Sequence, residues 1–344
     1  MLFKSKPHIY LRFYDKSIHY LALDTQHKVI VDKGELVFDT PILIEGRVEN
    51  VPLVKTRLDA LVKEKKWKNA KSSILLPDDF VTIRHEDIPV QLSLSEAKDY
   101  VDLHVNTSIR LPFDNPKVDF EIIERNEDTQ RIVLVAYPSE EVRQYWDTLK
   151  EVGLKPQAAD FSALSVYRVI KETQLLGGKS DEHHLVLQWH PLDMSITVFS
   201  NDVPHFNRHS RFSTLNHAWS LTNEGQWVWT GTEEELDHLT TNQLDGLERF
   251  MDFYRFSVLN GKGSIASVIL TGSYPNMIDL EGVLKERFDL PIHVLNTPMN
   301  LKSEDASLYG LSLKSSKKTN KTPKLKTKKM KDKQTDILAE EGEA

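Results

Sequence analysis

The chain has no cysteine in its 344 residues, which excludes disulfides and thiolate metal ligands and allows a reducing compartment. No apolar run approaches the roughly 20 residues needed to span a bilayer as a helix. The first residues, Met1 to Tyr14, contain neither the apolar core nor the small-residue cleavage site of a secretory signal. A cytoplasmic protein is expected. Catalytic signatures are also missing. No G-x-S-x-G nucleophile elbow occurs. Gly177-Gly178-Lys179-Ser180 ends in the letters of a phosphate-binding loop, but it lacks the first glycine and is followed by Asp181-Glu182-His183-His184. It reads as a linker.

Charge is present and unevenly placed. The net charge is −7. Lys314 to Lys333 holds ten lysines against the single acid Asp332, and the last eleven residues hold four acids and no lysine. Without residues 314–344 the 44 basic side chains fall by ten to 34 and the 51 acidic ones by five to 46, leaving −12. An acidic body therefore ends in a basic tail. Leu325 and Met330 are the only large apolar residues of that basic stretch, too few to offset chain entropy, so 314–344 is expected to be disordered. Two readings of the tail stay open: a solubilising segment, and an anchor on anionic lipid, where each lysine contributes roughly 1 kcal/mol. With no arginine and no aromatic residue to stack on bases, specific nucleic-acid binding is not expected.

Hydrophobic patterning alternates between strand and helix throughout, which gives an α/β class. Residues 8–14 and 18–24 alternate as strands, and 27–38 reads as two short ones. Helical spacing runs through Leu53, Leu58, Leu61 and Val62. A buried strand at 73–76 and an extended run at 80–85 follow. A helix then enters at Ser93 or Ser95, with Glu96 as a capping partner, and runs to about Arg110. Residues 117–125 and 131–136 read as a hairpin pair. Helices start behind Ser139 and after Asp160, the first closed by Gly153. Leu175 to Ser180 is the best boundary. Beyond it come strands at 184–189 and 194–199, an irregular part with Trp219, Trp227 and Trp229, and helix over 233–259 with a change near 242–245. The closing run is strand 266–270, helix 280–288, strand 292–295 and helix 303–313. Core packing is the favoured role for the tryptophans, with a partner anchor as the alternative. The histidine groups His183-His184-x5-His190 and His205-x3-His209 lie on strands or loops. There i,i+4 spacing does not bring imidazoles together, so no metal site is expected.

The order and wording of several pieces resemble the PilM family, actin-like cytoplasmic proteins of type IV pilus assembly. The resemblance is carried by Leu111-Pro112-Phe113, Val133 to Pro138, Gly153-Leu154 with Pro156, and Asp160 with Ala163 and Arg168. Phe206 with Arg208, Leu270-Thr271-Gly272 and Leu308-Tyr309-Gly310-Leu311 add to it. It implies a two-lobed actin-like α/β fold with a small inserted α+β subdomain. Lobe I would hold 1–72 and 156–176, the insert 73–155, and lobe II 183–313 with a helical part at 213–262. It also implies a partner: the cytoplasmic N-terminus of a PilN-like bitopic membrane protein, gripped between lobe I and the insert at the inner face of the membrane, with other pilus assembly proteins nearby. By resemblance, Leu111, Pro112, Phe113, Val133 and Val135 are the expected contacts.

The same family normally holds ATP with two glycine-containing hairpins, each bearing an acid that arranges Mg²⁺. Where the resemblance places Gly, Asp and Gly of the first hairpin, this chain has Tyr10, Arg12 and Tyr14, with His19 in the lysine place. In the second hairpin Gln188 and His190 replace Asp and Gly, and the adenosine loop reduces to Thr271-Gly272-Ser273-Tyr274. Shifting the alignment to enlist Asp15 or Asp193 brings no glycine within two residues. A degenerate nucleotide site near Arg12, Tyr14, Gln188, His190 and Gly272 is therefore expected, with no ATP or other cofactor, no metal and no catalytic residue. The chain reads as a pseudo-ATPase scaffold of a type IV pilus, or of a competence or secretion pseudopilus. The alternatives are an active actin-like ATPase and an FtsA-like division protein. The latter calls for a C-terminal amphipathic helix that 314–344 does not encode.

Overall fold

The fold was taken from a computed structural model, which describes residues 6–314 other than 27, 180 and 213–215. The expected disorder and lipid contact of the basic tail lie outside the described residues, apart from Lys314.

The chain opens with β1 (His8–Phe13), β2 (Ser17–Asp24) and β3 (Val29–Val37), then a small hairpin β4 (Leu43–Ile44) and β5 (Arg47–Val48). Helix α1 (Val51–Glu64) and β6 (Lys71–Leu76) follow. An excursion then comprises a short 3₁₀ turn at Asp78–Phe80, β7 (Thr82–Pro89), α2 (Leu94–His104), β8 (Pro116–Arg125) and β9 (Thr129–Pro138). The chain returns through α3 (Ser139–Glu151), β10 (Lys155–Phe161) and α4 (Ser162–Glu172). The second half holds β11 (His183–Trp189), β12 (Asp193–Ser200), β13 (Val203–Arg211), β14 (Trp219–Leu221), β15 (Trp227–Trp229) and α5 (Glu233–Phe253). It closes with β16 (Ile265–Gly272), α6 (Met277–Arg287), β17 (Ile292–Val294) and α7 (Ala306–Ser312).

Two five-stranded sheets share one plan. The first runs β3-β2-β1-β6-β10 and the second β13-β12-β11-β16-β17. In each, three antiparallel strands are followed by two parallel ones. Helices α4 and α7 lie between the sheets. They bury Val166, Ile170, Leu308 and Leu311 against Tyr10, Leu21 and Leu75 of the first sheet and Val186, Phe199 and Ile269 of the second. Gly310 allows this approach, because a Cβ there would meet the Ser165 carbonyl oxygen at 1.8 Å. The excursion forms its own layer, β7-β9-β8 with α2 packed on one face through Ala97, Val101, Ile132, Leu134 and Ala136.

Sheet pairing draws the insert more tightly than 73–155. Strand β6 lies between β1 and β10 in the first sheet, and α3 packs Tyr145 and Leu149 into the first sheet's core. The excursion thus spans about 78–138. Where two short strands were expected over 27–38, Val29–Val37 form one. Gly34 interrupts the pattern because it faces Tyr20, whose hydroxyl would lie 2.7 Å from a Cβ. Helix α2 is capped at both ends, by the Ser93–Glu96 box and at Val105, and ends at His104 rather than near Arg110. Residues 155–161 form a parallel edge strand with a bulge at Gln157, which no local alternation announces. Residues 233–253 make one helix, with Leu244 and Leu247 buried across the expected change. The irregularity comes later, as a π turn at Tyr254–Val258.

Candidate functional site: a closed cleft and a peptide-sized groove

Two places gather the residues singled out in the sequence. The first is where the β1–β2 and β11–β12 turns meet between the sheets. Arg12, Tyr14, Gln188, His190 and Gly272 all come together here, and the space is filled by their side chains. Arg12 donates from Nη1 to Ser307 Oγ at 2.7 Å, and its Nη2 lies 3.5 Å from Asp78 Oδ2 and 3.4 Å from His190 Nε2. Its guanidinium stands over the Tyr14 ring at 4.6 Å. Gln188 donates to Ser162 Oγ at 2.7 Å, Ser162 donates to Asp78, and His190 Nδ1 lies 2.7 Å from Ser273 Oγ. Gly272 (φ +127°) presses against the second hairpin, where a Cβ would meet Trp189 O at 2.1 Å.

Beside this chain of polar contacts, Arg211 of β13 binds Asp79 with two N–H groups, at 2.5 and 3.1 Å, and Asp15 with a third at 2.7 Å. His209 lies between Asp193 at 3.4 Å and Asp79 at 3.7 Å. The electrostatics follow burial and pairing. Burial pushes Asp15 and Asp78 up, against Arg211 and Arg12 respectively. Burial also pushes Asp193 up, but the His209 hydrogen bond and neighbouring positive charge outweigh it and hold Asp193 well below the usual carboxylate range. Burial lowers His190 to about 3. A pocket of about 30 Å³ lies among Arg12, Tyr14, Asp78, Asp193 and Arg211. That is room for a water or two, against the roughly 300 Å³ or more of a small-molecule site.

The second place is an open groove of about 530 Å³ between the insert and the first lobe. Phe80, Pro112, Phe113 and Pro138 supply its apolar surface, and Arg47, Asp79, Asp114, Glu140 and Glu141 its charges. Arg47 stacks over Phe80 at 5.0 Å and donates to Glu141 at 2.9 Å. Asn115 (φ +48°) turns the chain into β8 and its carbonyl accepts from Ser139 N–H, which sets the two walls together.

Of the residues expected to contact a partner, Pro112 and Phe113 line this groove. Leu111 packs on the insert's own core. Val133 and Val135 pair with His85 and Ile83 on the sheet face opposite that core. His85 of that face bonds the Pro204 carbonyl at 2.9 Å and stacks on His205 at 5.1 Å, so the face turns towards β13 and away from the groove. Sequence reading missed Arg47, Phe80 and Glu140, which belong to elements distant in the chain. It also missed Arg211, for which no local signal exists.

Of the tryptophan segment, Trp219 and Trp229 pack inward, whereas Trp227 is half-buried and Val228 exposed. Trp219 is buried, meets Trp229 edge-on at 5.2 Å and Tyr274 at 5.8 Å. His184 bonds Ser267 and the Lys179 carbonyl. Among the described residues no three His, Asp or Glu side chains converge as a metal site.

The family model described as Type IV pilus assembly protein PilM matches residues 16–310. This chain belongs to the PilM family. Its fold is similar to a solved PilM-PilN type IV pilus biogenesis complex at 16% identity and a TM-score of 0.71, covering 90% of this chain and 98% of that one. A Bacteroides thetaiotaomicron protein with an actin-like ATPase fold and unknown function matches at 12% identity and TM-score 0.49, over 91% and 97% of the chains. The cytoplasmic domain of EpsL from the Vibrio cholerae type II secretion system matches at 11% and 0.44, over 90% and 96%. No curated protein matches. The PilM likeness and the paired sheet plan identify the fold as two-lobed and actin-like, with β7, α2, β8 and β9 as the insert. Among the described residues no helix is long and apolar enough to cross a membrane.

Proposed function

We propose that this chain is a non-catalytic scaffold of type IV pilus assembly. In this reading it lies at the inner face of the membrane and holds the cytoplasmic N-terminus of a PilN-like bitopic protein in the Phe80–Phe113 groove. One observation carries the reading: the interlobe cleft is occupied by Arg12 and its partners, while the groove beside it is open and peptide-sized. The groove's chemistry fits such a ligand. Two phenylalanines and two prolines offer apolar contact, and Asp114 and Glu140 add acidity at the rim. Cytoplasmic flanks of membrane spans are rich in Lys and Arg, which this acidity complements. The scaffold works by binding energy and geometry, joining a membrane subcomplex to cytoplasmic components, with no covalent step.

The pseudo-ATPase part rests on charge and space. Arg12 in the place of an acid opposes Mg²⁺, and neither hairpin offers a glycine for phosphate to approach. The second reading, an active actin-like ATPase, requires Arg12 and His190 to leave the cleft. Titration with a fluorescent ATP analogue and Mg²⁺, alongside the cytoplasmic N-terminal peptide of a PilN-like protein, tests both. The expected result is saturable peptide binding with no nucleotide binding in the micromolar range. Mg²⁺-dependent micromolar nucleotide binding would restore the ATPase reading.

A further inference from the structure

The insert that forms one wall of the groove touches the second sheet at two places on one strand. At the far end of β13, His85 of the insert bonds the Pro204 carbonyl and stacks on His205. At the near end, Arg211 holds Asp79, which lines the groove, through a two-pronged ion pair. His205 and Arg211 are six residues apart on an extended strand, or roughly 20 Å. Asp79 is also seated against the first lobe. Gly46 of the β4–β5 turn packs so closely that a Cβ there would come within 2.8 Å of Asp79 Oδ2, and the Gly46 carbonyl accepts from Tyr145 Oη. The third N–H of Arg211 reaches Asp15 in the β1–β2 turn. One guanidinium from the second lobe thus meets the first lobe and the groove wall together.

We propose that Arg211 is a positioning residue for the groove, tying the wall at Asp79 to the second sheet so that groove shape follows the closure of the two lobes. The proposal rests on the reading of the groove as the partner's seat. The two-pronged geometry carries it, since a bidentate pair fixes orientation as well as distance. With Arg12 and His190 filling the cleft, lobe closure is set by side chains, and Arg211 conveys that closure to the groove. A purely stabilising role differs in one respect: it makes the Asp15 arm and the Asp79 arm equivalent.

Hydrogen exchange on the full chain separates the two. Arg211→Gln and Asp79→Asn are expected to raise exchange at least tenfold in segments 79–82 and 138–141. Asp15→Asn, which removes only the arm away from the groove, leaves those segments protected. Arg211→Lys restores the charge without the fork and gives an intermediate result. Should Arg211→Gln not fold, Asp79→Asn alone decides. Unchanged groove exchange in Asp79→Asn, or an equal rise in Asp15→Asn, overturns the proposal. Titration of the wild type with the PilN-like N-terminal peptide is read separately. If no peptide binds while the exchange pattern holds, the positioning role stands and the groove's assignment fails.

Discussion

Gln188 Nε2 donates to Ser162 Oγ at 2.7 Å, joining the end of β11 in the second lobe to the first residue of α4 in the first. The resemblance to actin-like ATPases places a metal-arranging acid at Gln188. Here an uncharged amide takes the position and spends its donor on a serine that in turn donates to Asp78. The two lobes thus meet here through protein side chains.

Arg12 lies 3.5 Å from Asp78, and both side chains are over 90% buried. Arg12→Ala leaves that carboxylate without its cation, a change that costs about 3 kcal/mol when a buried pair is broken. Burial already raises Asp78, and losing Arg12 raises it further. A raised carboxylate contributes stability below its ordinary range and loses it as pH rises. The penalty of Arg12→Ala is therefore expected to be full at pH 7 and reduced near pH 4.5. Urea denaturation of both proteins at the two pH values checks it, and a penalty independent of pH contradicts it.

His190 is held at about 3 by burial, with Arg12 and His209 adding to the effect. Its folded-state value is depressed, so its stability contribution is present above pH 6.5 and declines as pH falls towards 3. Between pH 7 and 5 the loss from this residue is about 2 kcal/mol. His8 and His205, each lowered to about 4, run in the same direction. His209 is raised and opposes them. Thermal unfolding should show Tm falling from pH 7 to 5, with a shallower slope in His190→Gln. An equal slope rules out His190 as the source.

Two helical glycines should respond in opposite directions to alanine. At Gly310 the new methyl would meet Ser165 O at 1.8 Å, forcing α4 and α7 apart. Overpacking of about 3 kcal/mol exceeds the roughly 1 kcal/mol gained in helix propensity, so Gly310→Ala destabilises by about 2 kcal/mol. At Gly282 in α6 nothing lies within 4 Å of the new atom, and Gly282→Ala stabilises by up to about 1 kcal/mol. Denaturation midpoints of the two variants provide the comparison.

Phe113 lines the groove, whereas Val133 pairs with His85 on the insert face turned towards β13. Phe113→Ala should weaken binding of a PilN-like N-terminal peptide about tenfold, equivalent to about 1.4 kcal/mol, and also lower Tm, because Phe113 packs on the insert's core as well. Val133→Thr should lower Tm and leave peptide affinity intact. Fluorescence anisotropy reads the first and calorimetry the second. The reverse pattern of affinity moves the binding site to the other face.

The legible parts of the fold were those written in local chemistry. The capping box at Ser93–Glu96, the left-handed Gly153 after α3, and the alternating runs of β1, β2, β11 and β12 each announce themselves within a few residues. Strand β10 did not, because an edge strand with a bulge at Gln157 has no regular alternation and is defined only by pairing with β6. The expected change at 242–245 was absent because Leu244 and Leu247 are buried, and their packing outweighs the weak propensity of Asn242 and Asp245. In the groove, Pro112 and Phe113 were legible through resemblance. Arg47, Phe80 and Glu140 were not, since nothing local links residues separated by up to about ninety positions.

By itself the amino-acid sequence determined the absence of thiol chemistry, the acidic body and basic tail, the α/β alternation, and the absence of glycine from both hairpins, 8–24 and 183–200. All of these are properties of residue type or short spacing. Only the tertiary structure decided that Arg12, Asp78, Ser162, Gln188 and His190 close the cleft together, and that Arg211 binds Asp15 and Asp79 at once. Those residues meet because two sheets of one plan pack about α4 and α7, and the directional bonds between them form only after that burial has brought them within reach.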